Sequence, residues 1–142
     1  MRTLQVGIPA AIPREEEVAS GLGRLRLRPD AVQLAVADGA YSKGLQQAMS
    51  QDWAFHGWNV QCVEMPDLTR RGVIVVDRET FDRLPPRLPH PERIVLITHR
   101  DPEQLSRAWD AGIVSVIDQS DPVSTAMLAI LAARFRSARL PP

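Results

Sequence analysis

Gly72-Val73-Ile74-Val75-Val76-Asp77 is the stretch of sequence that decides the fold. Its four consecutive β-branched residues, bounded by a glycine and an aspartate, are typical of a strand that is buried on both faces. A second run of this kind, Ile94-Val95-Leu96-Ile97, stops at Thr98. Strands buried on both faces occur where helices cover both sides of a parallel sheet. The two runs therefore predict the centre of an α/β sheet.

Weaker patterns on either side extend this sheet. Three further strands are predicted at residues 32–36, 60–63 and 113–117, and a short helical turn at 79–84. Helices are predicted around Leu45 and Met49, after Asp101-Pro102 and after Asp121-Pro122. An aspartate followed by a proline suits a helix start, because the aspartate caps the free amides and the proline fits the first turn. This alternation predicts one doubly wound α/β domain with five parallel strands and helices on both faces.

Apolar spacing predicts which residues of these helices face the core. In the first helix, a spacing of four residues predicts that Leu45, Met49 and Trp53 share one face. In the helix after Pro102 the predicted buried residues are Leu105, Ala108 and Trp109. Gln104 stands where a capping box needs it, and Gly112 is a natural helix stop. The predicted apolar residues of the closing helix are Val123, Met127, Ile130, Leu131 and Phe135.

Composition narrows the class of protein. The chain has 142 residues, 17 Lys and Arg against 17 Asp and Glu, 44% apolar residues and one cysteine, Cys62. A neutral chain argues against a strongly electrostatic nucleic-acid or membrane binder, and a lone cysteine forms no internal disulfide. The longest apolar helical run is too short to span a bilayer, and the first residues lack a signal-peptide core. We therefore expect a cytoplasmic domain at residues 30–142, preceded by an N-terminal extension at residues 1–29.

Polar side chains follow four of the predicted strands. Ligands of open α/β sheets bind beyond the carboxyl ends of the strands, and those ends carry Asp38, Asp77, Thr98, Asp118 and Gln119. Carboxylates at such an edge suit a hard cation such as Mg²⁺. Aspartate is also common at strand ends because it favours turns and helix caps. The sequence therefore predicts an acidic pocket of Asp38, Asp77 and Asp118, with helix capping as the alternative.

The order of these segments resembles the receiver domain of bacterial two-component response regulators, which is CheY-like. The run that ends at Asp77 is similar to the phospho-acceptor strand, and the run that ends at Thr98 to the strand of the switch hydroxyl. Residues 111–117, which lead into Asp121-Pro122, are similar to the last helix–glycine–strand unit of the family. The resemblance covers the chain from about Asp30 to Ala138. It implies a flavodoxin-like sheet in the order 2-1-3-4-5, with Asp77 as the phospho-acceptor and Thr98 as the switch hydroxyl.

The sequence departs from the receiver pattern around the phospho-acceptor. The family places two metal-binding acids after its first strand, and this chain has Ala37-Asp38. The family's phosphoryl-neutralising lysine is replaced by Gln119, and the proline that usually follows is Ser120. Transfer of a phosphoryl group to a carboxylate needs a divalent cation and nearby positive charge. These losses predict a pseudo-receiver, in which Asp38 and Asp77 bind Mg²⁺ weakly or not at all.

The segment between Asp77 and Thr98 departs as well. It is short, it carries Pro85, Pro86, Pro89 and Pro91 where the family has a full third helix, and Arg78-Glu79-Thr80 replaces the usual Met-Pro stretch. Arg78 is a candidate substitute cation. We therefore expect a non-enzymatic module that acts through protein contacts and regulates transcription through an output domain or partner, with a histidine kinase or the output domain as partner and a homodimer as a further expectation.

Two alternatives stay open. One is a working phospho-acceptor, phosphorylated on Asp77 with Mg²⁺ held by Asp38. The other is a small flavodoxin-like cofactor binder or enzyme at the same edge, although no nucleophile elbow, phosphate-binding glycine loop or zinc pattern supports it. The aromatic cluster from Trp53 to Trp58 is predicted to pack the first helix on the sheet, with a partner surface as the alternative. The three histidines are predicted to be loop residues.

Overall fold

The computed structural model describes residues 31–99 and 101–138 of the chain. The predicted N-terminal extension at residues 1–29 lies outside the described residues, so that prediction stays untested. The described elements alternate between strands and helices from the start. Their order is β1 (Ala31–Ala35), α1 (Gly39–Ser50), a 3-10 turn (Trp53–Phe55), β2 (Asn59–Cys62), β3 (Gly72–Asp77), α2 (Arg78–Asp82), a 3-10 turn (Pro91–Arg93), β4 (Ile94–Thr98), α3 (Pro102–Asp110), β5 (Ser115–Asp118) and α4 (Val123–Ala138).

The five strands form one parallel sheet in the order β2-β1-β3-β4-β5. The predicted flavodoxin-like architecture is therefore confirmed. The pairs Ala35 with Val76, Asp77 with Ile97 and Thr98 with Asp118 bring the carboxyl ends of β1, β3, β4 and β5 to one edge. The strand order reverses between β1 and β3, which is where such sheets bind ligands.

Each face of the sheet has its own hydrophobic core. One core lies under α1 and α4 and includes Leu45, Met49 and Ile130, and the other lies under α2 and α3 and includes Phe81 and Ala108. The central strands supply side chains to both cores, because neighbouring residues of a strand point to opposite faces. Every residue from Val73 to Val76 is buried, as the apolar run predicts.

Two helix faces differ from the prediction. Trp109 is 63% exposed and Phe135 is 64% exposed, so neither belongs to a buried stripe. Trp109 follows the buried Gln104 by five residues, and Phe135 follows the buried Ile130 by five. Five residues rotate a side chain by about 140° around a helix axis, which turns both rings away from the sheet. Trp53 is also outside its predicted face, because α1 ends at Ser50 and Trp53 is 88% exposed.

The fifth strand begins two residues later than predicted. Gly112 has φ +92° and closes α3, where its amide donates to the carbonyl of Trp109 at 3.0 Å. The amide of Ile113 donates to the carbonyl of Ala108 at 2.9 Å. This pair of bonds is the Schellman arrangement that ends many helices. Ile113 is therefore buried as part of the helix end, and β5 starts only at Ser115.

The connection between β2 and β3 is tied to the sheet by two buried polar side chains. The amide of Gln33 donates to the carbonyl of Asp67 at 3.0 Å and accepts from its backbone amide at 2.7 Å. The guanidinium of Arg93 donates to the backbone carbonyls of Leu68, Arg70 and Gly72. Burial lowers the pKa of this guanidinium below its ordinary value. These bonds fix a connection that has no regular secondary structure.

The aromatic cluster divides between core and surface. Phe55 is buried and meets Trp58 edge to face, with ring centroids 4.6 Å apart. The guanidinium of Arg134, on α4, lies 4.5 Å from the centroid of the Trp58 ring. The predicted packing role therefore holds for Phe55 and Trp58, whereas Trp53 faces outward. No helix within the described ranges is long and apolar enough to cross a membrane.

Candidate functional site

Asp77, the predicted phospho-acceptor, serves as the N-cap of α2. The helix begins at the next residue, and Oδ1 of Asp77 accepts from the backbone amide of Thr80 at 3.0 Å. Oδ2 accepts from the backbone amide of Ala37 at 2.8 Å, which ties the end of β3 to the loop after β1. Both carboxylate oxygens therefore bind backbone amides. This local geometry follows from the sequence after Asp77, where Arg78-Glu79-Thr80 continues as a helix.

Asp38, the predicted metal ligand, is the N-cap of α1. Its Oδ1 accepts from the amides of Ala40 at 3.0 Å and Tyr41 at 3.1 Å. Its Oδ2 accepts from the side-chain amide of Gln119 at 3.1 Å. Gln119, at the family lysine position, therefore does reach across the edge of the sheet. It brings a neutral donor to Asp38, where a lysine would bring a full charge.

Asp118 forms its hydrogen bonds within the connection between β5 and α4. Its Oδ1 accepts from the amide and the hydroxyl of Ser120, both at 2.9 Å, and its backbone amide donates to the carboxylate of Asp121 at 3.1 Å. Gln119 ties this turn to β4, because its backbone amide donates to the backbone carbonyl of Thr98 at 2.8 Å. Asp118 thus lies at the predicted edge and organises the turn that leads into α4.

Thr98, the predicted switch hydroxyl, is buried at the end of β4 and is 3% exposed. Its Oγ1 donates to Oε1 of Gln104 at 2.8 Å. Gln104 was predicted to complete a capping box, yet its side chain turns inward and is 1% exposed. The functional relevance of Gln104 was missed, although a signal was present: it precedes the buried Ala108 by four residues and so shares its helix face.

Arg78 does not take the place of the missing lysine. Its guanidinium lies 3.3 Å from the carboxylate of Asp101, the N-cap of α3. The side chain is more than half exposed, so the pair adds little stability. Arg78 is the first residue after β3, and its side chain reaches the start of α3. Positive charge at the edge must therefore come from elsewhere if Asp77 is to accept a phosphoryl group.

The carboxylate oxygens of Asp38 and Asp77 already accept hydrogen bonds within the protein. Mg²⁺ is bound by one or two carboxylates together with waters, and at Asp38 and Asp77 it would compete with the backbone amides and the Gln119 amide that these oxygens already accept. Ala37 stands where a second acid is needed. Among residues 31–99 and 101–138, no group of three or more His, Cys, Asp or Glu side chains is arranged to hold a metal. The capping alternative accounts for both acids.

Comparison with known proteins bears on the fold. No family model matches the chain, and no curated protein matches it. The solved structure of FixJ-N, a receiver domain, is similar with a TM-score of 0.53 and 19% identity, over 81% of this chain and 98% of that one. A fusion that contains the trimeric coiled coil of yeast Spc42 is 13% identical over 77% of this chain and 82% of that one, with a TM-score of 0.49, too low to support any inference. What the comparison with FixJ-N establishes is the fold: a five-stranded flavodoxin-like sheet in the order 2-1-3-4-5.

Proposed function

We propose that this domain is a pseudo-receiver of the two-component type, which signals through protein contacts without phosphoryl transfer to Asp77. The observation that carries the proposal is the hydrogen bonding of Asp77, whose two oxygens accept the amides of Ala37 and Thr80. An attacking carboxylate needs a free lone pair aimed at phosphorus. Each oxygen keeps a second lone pair, but phosphorylation of either oxygen withdraws its charge and so weakens the bond from the Ala37 amide or the helix cap from Thr80. Loss of the cap costs about 0.5–2 kcal/mol.

The charge balance at the edge supports the same proposal. An incoming phosphoryl group carries about two negative charges and removes the single charge of the Asp77 carboxylate, so the edge gains about one negative charge beside Asp38. Gln119 occupies the lysine position and is bound to Asp38, and Arg78 is paired with Asp101. Two unit charges about 4 Å apart interact by roughly 4 kcal/mol at a surface-like effective dielectric, so an absent cation removes a substantial stabilising term. Acceptance of a phosphoryl group is therefore disfavoured by both geometry and charge.

A phosphodonor experiment tests this proposal. The purified chain is incubated with Mg²⁺ and acetyl phosphate beside a competent receiver domain, and intact masses are measured. We expect the competent domain to gain one phosphoryl group and this chain to keep its mass. A near-stoichiometric gain that disappears in Asp77→Asn would favour the working phospho-acceptor with Mg²⁺. A visible absorbance band in the purified protein would favour the flavodoxin-like cofactor binder.

We propose further that the β5 edge of the domain is its contact surface and that a second copy binds there. Four of the six exposed large apolar side chains in the described ranges lie on the three consecutive segments of the chain around β5: Trp109 on α3, Val114 before β5, and Leu128 and Phe135 on α4. Leu128 and Phe135 are seven residues apart and share one helix face. Since Ala126, Ile130 and Ala133 fill the inner face, α4 is apolar on both sides, as expected of a helix covered twice.

Self-association is expected to depend on the outer face of α4. Leu128→Lys combined with Phe135→Lys should shift a dimer to monomer in sedimentation analysis, because two charges replace apolar contacts. Trp53→Lys is the matched control, since Trp53 is an even more exposed aromatic residue outside this face, and the dimer should persist. A wild-type chain that stays monomeric across the concentration range would exclude the homodimer.

The output we propose is transcriptional. A chain with no net charge, whose α/β domain has an acidic carboxyl edge, is poorly suited to bind nucleic acid itself. A DNA-binding output domain or partner protein would therefore carry the nucleic-acid contacts, and this domain would supply the regulatory one. A histidine kinase enters as a partner only if the phosphodonor experiment shows that Asp77 accepts a phosphoryl group.

A further inference from the structure

A buried glutamine reaches the hydroxyl of Thr98 from the neighbouring helix. Thr98 ends β4, and Gln104 lies in the first turn of α3. The threonine hydroxyl donates to Oε1 of Gln104 at 2.8 Å, and both residues are almost fully buried. A hydrogen bond in such an environment is stronger than one at the surface, and breaking it without a replacement is correspondingly costly.

The same glutamine also reaches a third element. Its Nε2 donates to the backbone carbonyl of Arg78, the first residue of α2, at 3.4 Å. The guanidinium of Arg78 in turn pairs with Asp101, the N-cap of α3. Gln104 therefore joins the end of β4 to α2 through the oxygen and the nitrogen of its side-chain amide. The start of α3 is also tied to α2 at the surface, by the pair of Arg78 and Asp101. These are the segments that flank Asp77 and Thr98.

We infer that Gln104 is a positioning residue that locks the Thr98 hydroxyl in its buried orientation. If Thr98 rotates to direct its hydroxyl toward Asp77, Oε1 of Gln104 loses that donor inside the protein. Buried polar atoms in native structures rarely lack a partner, because the loss of solvation is not repaid. The hydroxyl is therefore held in one state. The inference rests on the proposed function, since a domain that does not switch by phosphorylation has no need for a mobile hydroxyl at this position.

The experiment removes the amide and keeps the volume. In wild type, NMR three-bond couplings at Thr98 should report one χ1 rotamer. In Gln104→Met, which retains the length of the side chain without its donor and acceptor, those couplings should average over rotamers. Amide hydrogen exchange in α2 and at the end of β4 should rise about tenfold, the factor expected when one to two buried hydrogen bonds are lost.

Gln33→Met is the matched control. Gln33, in the middle of β1, is the other buried glutamine of the described residues, and its amide binds the backbone of Asp67 in the β2–β3 connection. We expect this variant to raise exchange at residues 66–69 and to leave the Thr98 rotamer unchanged. A folded Gln104→Met variant with one Thr98 rotamer and unchanged exchange in α2 would overturn the inference, as would several rotamers in wild type.

A second variant covers the case in which Gln104→Met does not fold. Thr98→Val keeps the shape of the threonine and removes its donor, so Gln104 is released and exchange in α2 must still rise. Unchanged exchange in Thr98→Val would overturn the lock. The proposed function fails separately: a phosphoryl gain on Asp77 with Thr98 in a single rotamer refutes the pseudo-receiver and leaves the lock intact, whereas a mobile Thr98 with no phosphoryl gain does the reverse.

Discussion

Gly72→Ala is expected to destabilise the domain by about 2–5 kcal/mol, the sum of backbone strain and steric overlap. Gly72 has φ +114°, a conformation that residues with a side chain rarely adopt. A β-carbon placed there lies 2.0 Å from the carbonyl oxygen of Ala31, the residue with which Gly72 pairs in the sheet. The backbone of β1 cannot yield without losing its ladder to β3. The variant should therefore lose the start of the central strand pair.

Gly44→Ala is the matched control for that substitution. Gly44 lies inside α1, and a β-carbon there meets no atom within 4 Å. Alanine in a helix is favoured over glycine by up to about 1 kcal/mol, so this variant should be more stable than wild type. Denaturant unfolding followed by tryptophan fluorescence measures the free energy of unfolding for both variants. A Gly72→Ala midpoint equal to that of wild type would contradict the described backbone.

Asp77→Ala is expected to lower the free energy of unfolding by about 1–3 kcal/mol, because it removes a helix cap and a second hydrogen bond. The cap is the bond from the Thr80 amide, and the second bond comes from the Ala37 amide. The direction of the change is informative. An acid held in a cluster of like charges destabilises the fold, so its removal would raise stability. An acid that caps a helix stabilises the fold, and its removal lowers stability.

The control for Asp77 is an aspartate at the C-terminal end of a different helix. Asp110 is exposed at the last residue of α3, where the helix dipole disfavours negative charge. Asp110→Ala should leave stability within about 0.5 kcal/mol of wild type. Asp77→Asn should fall between Asp77→Ala and wild type, since one amide oxygen still accepts. Thermal and denaturant unfolding at neutral pH measure all three, and an Asp77→Ala variant more stable than wild type would favour the phospho-acceptor alternative.

The central sheet was predictable because its evidence is local. Four β-branched residues before Asp77 and four aliphatic ones before Thr98 are apolar in both side-chain directions, and runs this short, rich in β-branched residues, favour a doubly covered strand over a helix. The start of β5 was less accessible. Ile113 is apolar enough for a strand, yet its amide is needed to close α3 after Gly112. An apolar run indicates that its residues are buried, but it does not indicate whether their backbone belongs to a strand or to the end of a helix.

Positions at the site were predictable, and hydrogen-bond partners were not. The ends of β1, β3, β4 and β5 do meet at one edge, since parallel strands share their direction. That Asp38 binds Gln119, which is distant in sequence, depends on the path of two separate connections. The inward turn of Gln104 depends in the same way on how α3 packs beside Thr98. Residue type and spacing restrict such partners only weakly, because each polar side chain has several acceptable ones.

The anchoring of the β2–β3 connection by Arg93 bears on how the domain opens. Arg93 immediately precedes β4, and its three carbonyl partners precede or begin β3. If the loop around Leu68 opens, the buried guanidinium of Arg93 loses carbonyl acceptors. If Arg93 leaves its position, the loop carbonyls lose their donor. The two segments are expected to open together as one cooperative unit, with matching hydrogen-exchange free energies. An irregular surface connection would then be as slow to exchange as the strand beside it.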